Sequence, residues 1–160
     1  PLIVHRLDMS TSGLLIIALN KRAHKAIQKQ FIERTIEKRY VALVDGNIEQ
    51  ESGTIELPLT PDFDDKPRQK VCYQKGKPSL TTWKVLEQKN NTTRLQLYPK
   101  TGRTHQLRVH CAHILGLNTP IVGDTHYGKK ADRLHLHAEY LAFTHPITHE
   151  RLEFKVAADF

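Results

Sequence analysis

Cysteine is nearly missing from this sequence of 160 residues, which contains only Cys72 and Cys111. Two cysteines this far apart form neither a disulfide framework nor the paired ligands of a zinc site. Long apolar runs are missing too, since none approaches the roughly 20 residues that a membrane-spanning helix needs. No charged-then-apolar leader opens the sequence. We therefore expect a cytoplasmic protein with two free thiols and no membrane partner.

Internal repeats, low-complexity tracts and linkers are also lacking, which favours a single domain over residues 1–160. The composition is 39% hydrophobic and 26% charged, as in a folded globular protein. The net charge is +7, with basic residues spread along the whole chain. Such a charge favours a polyanionic partner, although an ordinary basic protein fits the composition equally well.

Hydrophobic patterning predicts more strand than helix. Asn20 is placed to cap a helix over 21–34, and Gly116 to end a second helix over 102–115 in a left-handed conformation. Asn90 and Asn91 form a hairpin turn. Strands are predicted over 14–19, 40–44, 54–59, 71–74, 80–87, 93–98, 134–143 and 152–156. The predicted class is α+β, with a mixed, largely antiparallel sheet and a few packed helices.

The segment His5-Arg6-Leu7-Asp8 places one carboxylate beside an arginine and ahead of three hydroxyl residues. In an extended segment Arg6 and Asp8 project to the same side. The hydroxyls of residues 10–12 are then placed to donate hydrogen bonds to Asp8. The alternative is that Asp8 is an ordinary turn or capping aspartate ahead of a strand.

A second polar segment, residues 100–110, begins the helix predicted over 102–115. Arg108 lies at the rim of the apolar sector formed by Leu107, Cys111, Ile114 and Leu115. We therefore expect a partly buried guanidinium, which requires a paired acid. The alternative is an arginine whose charged end reaches solvent.

Histidine is concentrated late in the chain, where eight of the ten lie between His105 and His149. His135 and His137 would share one face of a strand. Their spacing matches no known metal site, so we expect hydrogen-bonded histidines and no metal.

Four ordered blocks resemble the RluA family of pseudouridine synthases. The blocks are His5-Arg6-Leu7-Asp8 with Thr11-Ser12-Gly13, Lys38-Arg39-Tyr40, Gly102-Arg103-Thr104-His105-Gln106-Leu107-Arg108-Val109-His110, and Pro120-Ile121-Val122-Gly123-Asp124. The resemblance spans nearly the whole chain. It implies isomerisation of uridine to pseudouridine in a stem-loop of tRNA, large-subunit rRNA or both, without a cofactor. We expect a monomer.

The resemblance also implies a role for each matched residue. Asp8 matches the catalytic aspartate, which attacks the target nucleotide so that the base detaches, rotates and rejoins through carbon. Arg108 matches the arginine that pairs with it. Tyr40 matches the tyrosine that packs on the base and takes part in the final proton removal, although within residues 40–44 it is also placed to be a core residue of a strand. Arg6 matches the arginine that enters the RNA stack in place of the flipped base.

Other basic residues are predicted to contact phosphates or to form a solvated face. They are Arg103, Lys21, Arg22, Lys25 and Lys29. Family members carry strands upstream of the aspartate motif, so we expect this chain to lack the N-terminal strands of the family fold. Two alternative functions are a non-catalytic RNA-binding module and a hydrolase, although the latter usually needs a second carboxylate.

Overall fold

Eleven strands and two helices make up the structure, a computed structural model that describes residues 1–160. The helices are α1 (Lys21–Ile32) and α2 (Gln106–Ala112). The strands are β1 (Leu2–Ile3), β2 (Ser12–Gly13), β3 (Ile17–Ala18), β4 (Glu37–Val44), β5 (Ser52–Glu56), β6 (Leu59–Pro61), β7 (Gln69–Val71), β8 (Leu80–Lys89), β9 (Thr92–Pro99), β10 (Leu136–Thr144) and β11 (Arg151–Lys155).

The main sheet has the strand order β11-β10-β4-β9-β8-β5, and β2 joins it by pairing with β10. Only the β2–β10 pair is parallel, and every other pair is antiparallel. Two short sheets, β1-β3 and β6-β7, lie outside it. The predicted α+β class with a largely antiparallel sheet is therefore confirmed.

One face of the main sheet forms the core against α2 and the segments around it. In β9 the alternation of side chains buries Leu95 and Leu97 completely, as expected for a strand with one packed face. Leu107 and Cys111 of α2 belong to the same buried cluster. A smaller cluster around Ile27 packs α1 against the region of β10.

Local signals placed α1 and the long hairpin correctly. The Asn20 side chain accepts a hydrogen bond of 2.9 Å from the backbone N–H of Ala23 and so caps α1. Ile27 is the buried centre of its apolar face. Asn90 and Asn91 have φ of 54° and 60°, the conformation that the two-residue turn between β8 and β9 requires.

The predicted second helix is shorter than expected, and Gly116 is not a left-handed cap. The chain leaves α2 at His113, whose φ of −65° and ψ of 141° are extended. Ile114 and Leu115 are therefore exposed instead of buried on the helix. Gly116 is needed for close approach, because a Cβ there would lie 2.0 Å from the carbonyl oxygen of His110.

The buried strand predicted over 14–19 is also wrong. Only Ile17–Ala18 is a strand, and it pairs with nothing but β1. One side of this two-stranded sheet is uncovered, so Leu15, Ile17 and Leu19 are exposed. The strand predicted over 54–59 is divided between β5 and β6, which belong to different sheets.

Candidate functional site

A cavity of about 450 Å³ opens between the N-terminal loop, the end of α1, the start of β4 and the residues that lead into α2. Four of the predicted site residues line it: Arg6, Asp8, Tyr40 and Arg103. Arg6 is exposed, as expected for a residue at the mouth of a cavity. The volume of the cavity falls in the range of small-molecule sites, roughly 300–1,000 Å³.

Asp8 lies in a turn and not in an extended strand. The backbone N–H of Thr11 donates to the carbonyl oxygen of Asp8 over 2.9 Å. Immediately afterwards β2 pairs with β10, and a Cβ on Gly13 would lie 2.3 Å from the carbonyl oxygen of Ala138. With a φ of 117° as well, only glycine fits at this position. The turn is thus pressed against the sheet, and the Asp8 side chain remains 17% exposed to the cavity.

None of the hydroxyls predicted to hold Asp8 donates a hydrogen bond to it. Ser12 Oγ bonds to His137 Nδ1 at 2.7 Å and accepts from Arg133 Nη2 at 2.8 Å. Thr11 Oγ1 is buried without a hydrogen-bond partner, and Thr11 lines the cavity. The prediction failed for Ser12 because its hydroxyl is engaged by His137 and Arg133.

Arg108 is buried and paired with acids, but its main partner is Asp124 and not Asp8. Its Nε and Nη2 donate to the two carboxylate oxygens of Asp124 over 3.0 and 2.7 Å. Nη1 lies 3.7 Å from Asp8 Oδ2, a salt-bridge distance that is too long for a hydrogen bond. Arg108 therefore joins a fully buried acid to the one that faces the cavity.

The positive charge of Arg108 is stabilised by Asp124. Burial opposes the charge, but the hydrogen bonds and the charge of Asp124 outweigh it and raise the pKa of Arg108. The Asp124 carboxylate also accepts from the backbone N–H groups of His126 and Tyr127. The Tyr127 ring lies 5.5 Å from the Arg108 guanidinium carbon. These contacts hold the guanidinium in one orientation.

Tyr40 projects from β4 into the cavity and also packs against the main core. Burial and then the charge of Asp8 raise the pKa of its phenol to about 12. The hydroxyl is therefore protonated at neutral pH. Tyr40 is therefore both a cavity residue, as the family resemblance implies, and a strand residue that packs against the core, as the alternative interpretation has it.

His105 is a cavity residue to which the sequence analysis gave no role. It adopts a φ of 55° immediately before α2, and its Nδ1 bonds to the hydroxyl of Tyr127 at 2.7 Å. Burial lowers its pKa, so the imidazole is held in its neutral form near Asp8. Asp124 and His105 both lie in the four sequence blocks that carry the family resemblance. Membership of these blocks is the signal by which the sequence could have identified them.

Lys38 is another cavity residue without an assigned role. No carboxylate forms a salt bridge with it. Burial, followed by the charge of Arg34, lowers the pKa of its amine to about 8. The folded protein thus retains a partly buried lysine without a counter-charge, which costs stability.

Lys38→Met is expected to stabilise the protein at pH 7 by about 1–3 kcal/mol, since it removes this unpaired charge. The folded pKa of about 8 lies below the unfolded value of 10.5. Between these values the unfolded chain binds more protons, so the parent gains stability as pH rises and the difference vanishes near pH 10.5. Thermal and urea unfolding across this range provide the measurement. The exposed Lys89→Met is the control, and equal stability of Lys38→Met and parent at pH 7 would contradict the prediction.

The four basic residues predicted on α1 do not line the cavity. Lys21, Arg22, Lys25 and Lys29 are exposed along the helix. Lys29 lies 3.7 Å from Glu33 in a surface pair, which contributes little to stability. Their positions fit a solvated basic face.

His137 in β10 and His135, immediately before it, both form hydrogen bonds with backbone carbonyls. His137 bonds to the carbonyl oxygen of Val156 at 2.9 Å, and His135 to that of Arg133 at 3.0 Å. No group of three or more histidine, cysteine or acidic side chains is arranged to hold a metal ion. Neither helix is long and apolar enough to cross a membrane.

Both the sequence and the fold of this chain are similar to those of known proteins. A family model described as RNA pseudouridylate synthase matches residues 1–113. The dual-specificity RNA pseudouridine synthase RluA of Pasteurella multocida is 50% identical over 162 residues, covering 98% of this chain and 73% of the relative. The protein of the same name from Escherichia coli K12 is 47% identical over 163 residues, with the same coverage of both chains.

Two solved human structures share the fold. Human RNA pseudouridylate synthase domain containing 1 aligns with a TM-score of 0.86 and 36% identity, covering 99% of this chain and 69% of that one. Human RNA pseudouridylate synthase domain containing 4 aligns with a TM-score of 0.80 and 25% identity, covering 98% of this chain and 70% of that one.

Proposed function

Because the chain belongs to the RNA pseudouridylate synthase family, whose members convert uridine in RNA to pseudouridine, we propose that Asp8 is the nucleophile of this reaction. The observation that carries the proposal is a single partly exposed carboxylate in the wall of a cavity, beside a guanidinium locked by Asp124. Residues 1–160 act as one catalytic domain.

The reaction exchanges one bond of the nucleotide for another. Asp8 attacks the target nucleotide, and the N1–C1′ bond of uridine breaks. The uracil turns within the cavity, and a C5–C1′ bond forms as the bond between Asp8 and the nucleotide breaks and releases the carboxylate. The proton on C5 then leaves, and N1 takes up a proton, so that the product is an isomer of the substrate. No electron carrier is required, so we propose that the enzyme works without a cofactor.

Arg108 orients the nucleophile. Its Nη1 lies 3.7 Å from Asp8 Oδ2, while Asp124 fixes the other side of the same guanidinium. A fork held by two bonds to a buried acid cannot turn away when the Asp8 carboxylate changes its charge during the reaction. Asp124 is therefore a positioning residue.

Tyr40 packs against the target base, and its raised pKa limits its part in the proton transfer. A phenol with a pKa of about 12 is not a phenolate at neutral pH. It accepts a proton only if it passes its own to a neighbouring base. Asp8, whose charge contributes to that raised pKa, is the acceptor once the new bond has formed.

We propose structured RNA as the substrate, with a uridine in a stem-loop of tRNA, large-subunit rRNA or both. The resemblance in sequence extends to relatives named as dual-specificity enzymes. The enzyme acts in the cytoplasm and as a monomer. Mapping of pseudouridine in total RNA from cells with and without the intact gene is the direct test, and identical maps would contradict the proposal.

Arg6→Ala is expected to slow turnover far more on a stacked stem-loop than on an RNA whose target uridine is already unstacked. Arg6 is exposed and lines the cavity, whereas Arg108 already supplies the counter-charge of Asp8. A guanidinium inserted into the stack returns part of the few kcal/mol lost when a base flips out. Single-turnover rates on both RNAs measure this effect.

Protein melting controls for folding of this variant. The exposed Arg22→Ala on α1 is the matched control, since it removes an equal charge outside the cavity. An equal loss on both RNAs would place Arg6 in the chemical step. Unchanged rates would make it an ordinary surface arginine.

A further inference from the structure

A second cavity of about 470 Å³ adjoins the first at the end of the main sheet. The last paired residues of β4 and β9 are Tyr40 and Leu97, so the two strands separate beyond them. The second cavity lies in this gap, and five residues line both cavities: Phe31, Arg34, Lys38, Pro99 and Lys100. The space beside Asp8 thus continues past the end of the sheet.

The boundary between the cavities is basic and lacks counter-charges. Arg34, Lys38 and Lys100 make no salt bridge with any carboxylate. The only carboxylate that lines the second cavity is Glu37, which faces Arg151 at 3.6 Å. Unpaired cations that line both cavities favour a bound phosphate between them.

Three aromatic rings line the second cavity, and two of them are already occupied. Phe31 packs against His5 with 4.8 Å between ring centroids, and Tyr140 has the Arg39 guanidinium 4.7 Å above its ring. Tyr98 has no aromatic or cationic partner. Its hydroxyl is held by Gln96 at 2.7 Å, so the ring is fixed while its face has no stacking partner.

We propose that the second cavity binds the nucleotide next to the target uridine, with its base stacked on Tyr98 and the connecting phosphate held by Lys38 and Lys100. The inference rests on the proposed function, since it requires the target uridine in the first cavity. Extrusion of one base unstacks its neighbour, and an aromatic platform beside a basic boundary suits single-stranded RNA. The unpaired charge of Lys38 then receives its partner from the substrate.

The test uses a synthetic hairpin built around a uridine mapped as a substrate. The two nucleotides that flank this uridine are replaced by abasic residues, one at a time. Binding is measured by fluorescence anisotropy on Asp8→Asn protein, so that affinity is read without turnover. Turnover of the parent protein on the same hairpin is measured separately.

One abasic replacement is expected to weaken binding by about 5-fold to 100-fold, the effect of losing a stacked base. Tyr98→Ala, introduced into the Asp8→Asn protein, should show a similar loss on the intact hairpin and no further loss on that abasic hairpin. Tyr98→Phe keeps the ring and should retain affinity. Tyr73→Ala, an exposed tyrosine outside both cavities, is the control and should bind like its parent.

Lys100→Ala should lower the slope of log affinity against log salt by about 1, as expected for one lost phosphate contact. Lys89→Ala, at the opposite end of the β8–β9 hairpin, should leave it unchanged. The inference is overturned if neither abasic hairpin binds more weakly, or if each variant matches its control. Absence of pseudouridine formation by the parent would instead refute the proposed function.

Discussion

Asp8→Asn is expected to abolish pseudouridine formation, with a loss of about 10⁴-fold or more, as for removal of other enzymatic nucleophiles. RNA affinity should remain within a few fold of the parent, because the phosphate contacts are unchanged. Asparagine has the same shape, and Arg108 retains its two bonds to Asp124. Release of tritium from RNA labelled at C5 of uracil measures turnover.

The same variant separates an enzyme from a pure RNA-binding module. A module without chemistry would have no turnover to lose and no dependence on this carboxylate. Asp64→Asn, in the exposed loop between β6 and β7, controls for the loss of one negative charge. Turnover of Asp8→Asn near the parent level would show that Asp8 is not the nucleophile.

Arg108→Ala is expected to reduce the free energy of unfolding by about 3–5 kcal/mol and to remove most of the activity. The larger part of the stability loss comes from Asp124, which is fully buried and would lose its only cation. Arg108→Lys should restore only part of either property, because an ammonium lacks the planar fork that reaches both acids. Urea unfolding and single-turnover rates measure the two effects.

A double-mutant cycle with Asp124→Asn assigns the stability effect to this pair. The double variant should be more stable than the sum of the single effects predicts, since neither charge is left alone. Lys29→Ala is the control for an exposed pair, with Glu33, and should cost less than about 1 kcal/mol. Unchanged melting and turnover in Arg108→Ala would refute the role of this ion-paired network.

The parts of the fold that sequence predicted correctly depend on local chemistry. Asn20 caps α1 through a contact three residues away, and Asn90 with Asn91 makes a turn within its own hairpin. The errors arose where distant segments decide the conformation. Gly116 is required by the carbonyl of His110, and Ile17 of β3 is exposed because only the short β1 pairs with this strand.

The predictions for the site divide in the same way, between contacts that are local in the sequence and contacts between distant segments. The helix position of Arg108 indicated burial and an acidic partner, but helix geometry carries no information on which acid approaches. Asp124 reaches it from a loop 16 residues later, which becomes visible only in three dimensions. Likewise the hydroxyl of Ser12 is taken by His137, a residue 125 positions away.

The pairing of β2 with β10 fixes when, during its synthesis, the protein can become active. The ribosome must add 125 residues between Ser12 and His137, which takes between about 6 and 25 s at the usual 5–20 residues per second. Until β10 emerges, β2, which follows the turn that carries Asp8, has no strand to pair with. The entropy cost of closing so long a loop is therefore not offset by any contact formed before that point. The growing chain therefore carries Asp8, the proposed nucleophile, without a formed site until β10 has been synthesised.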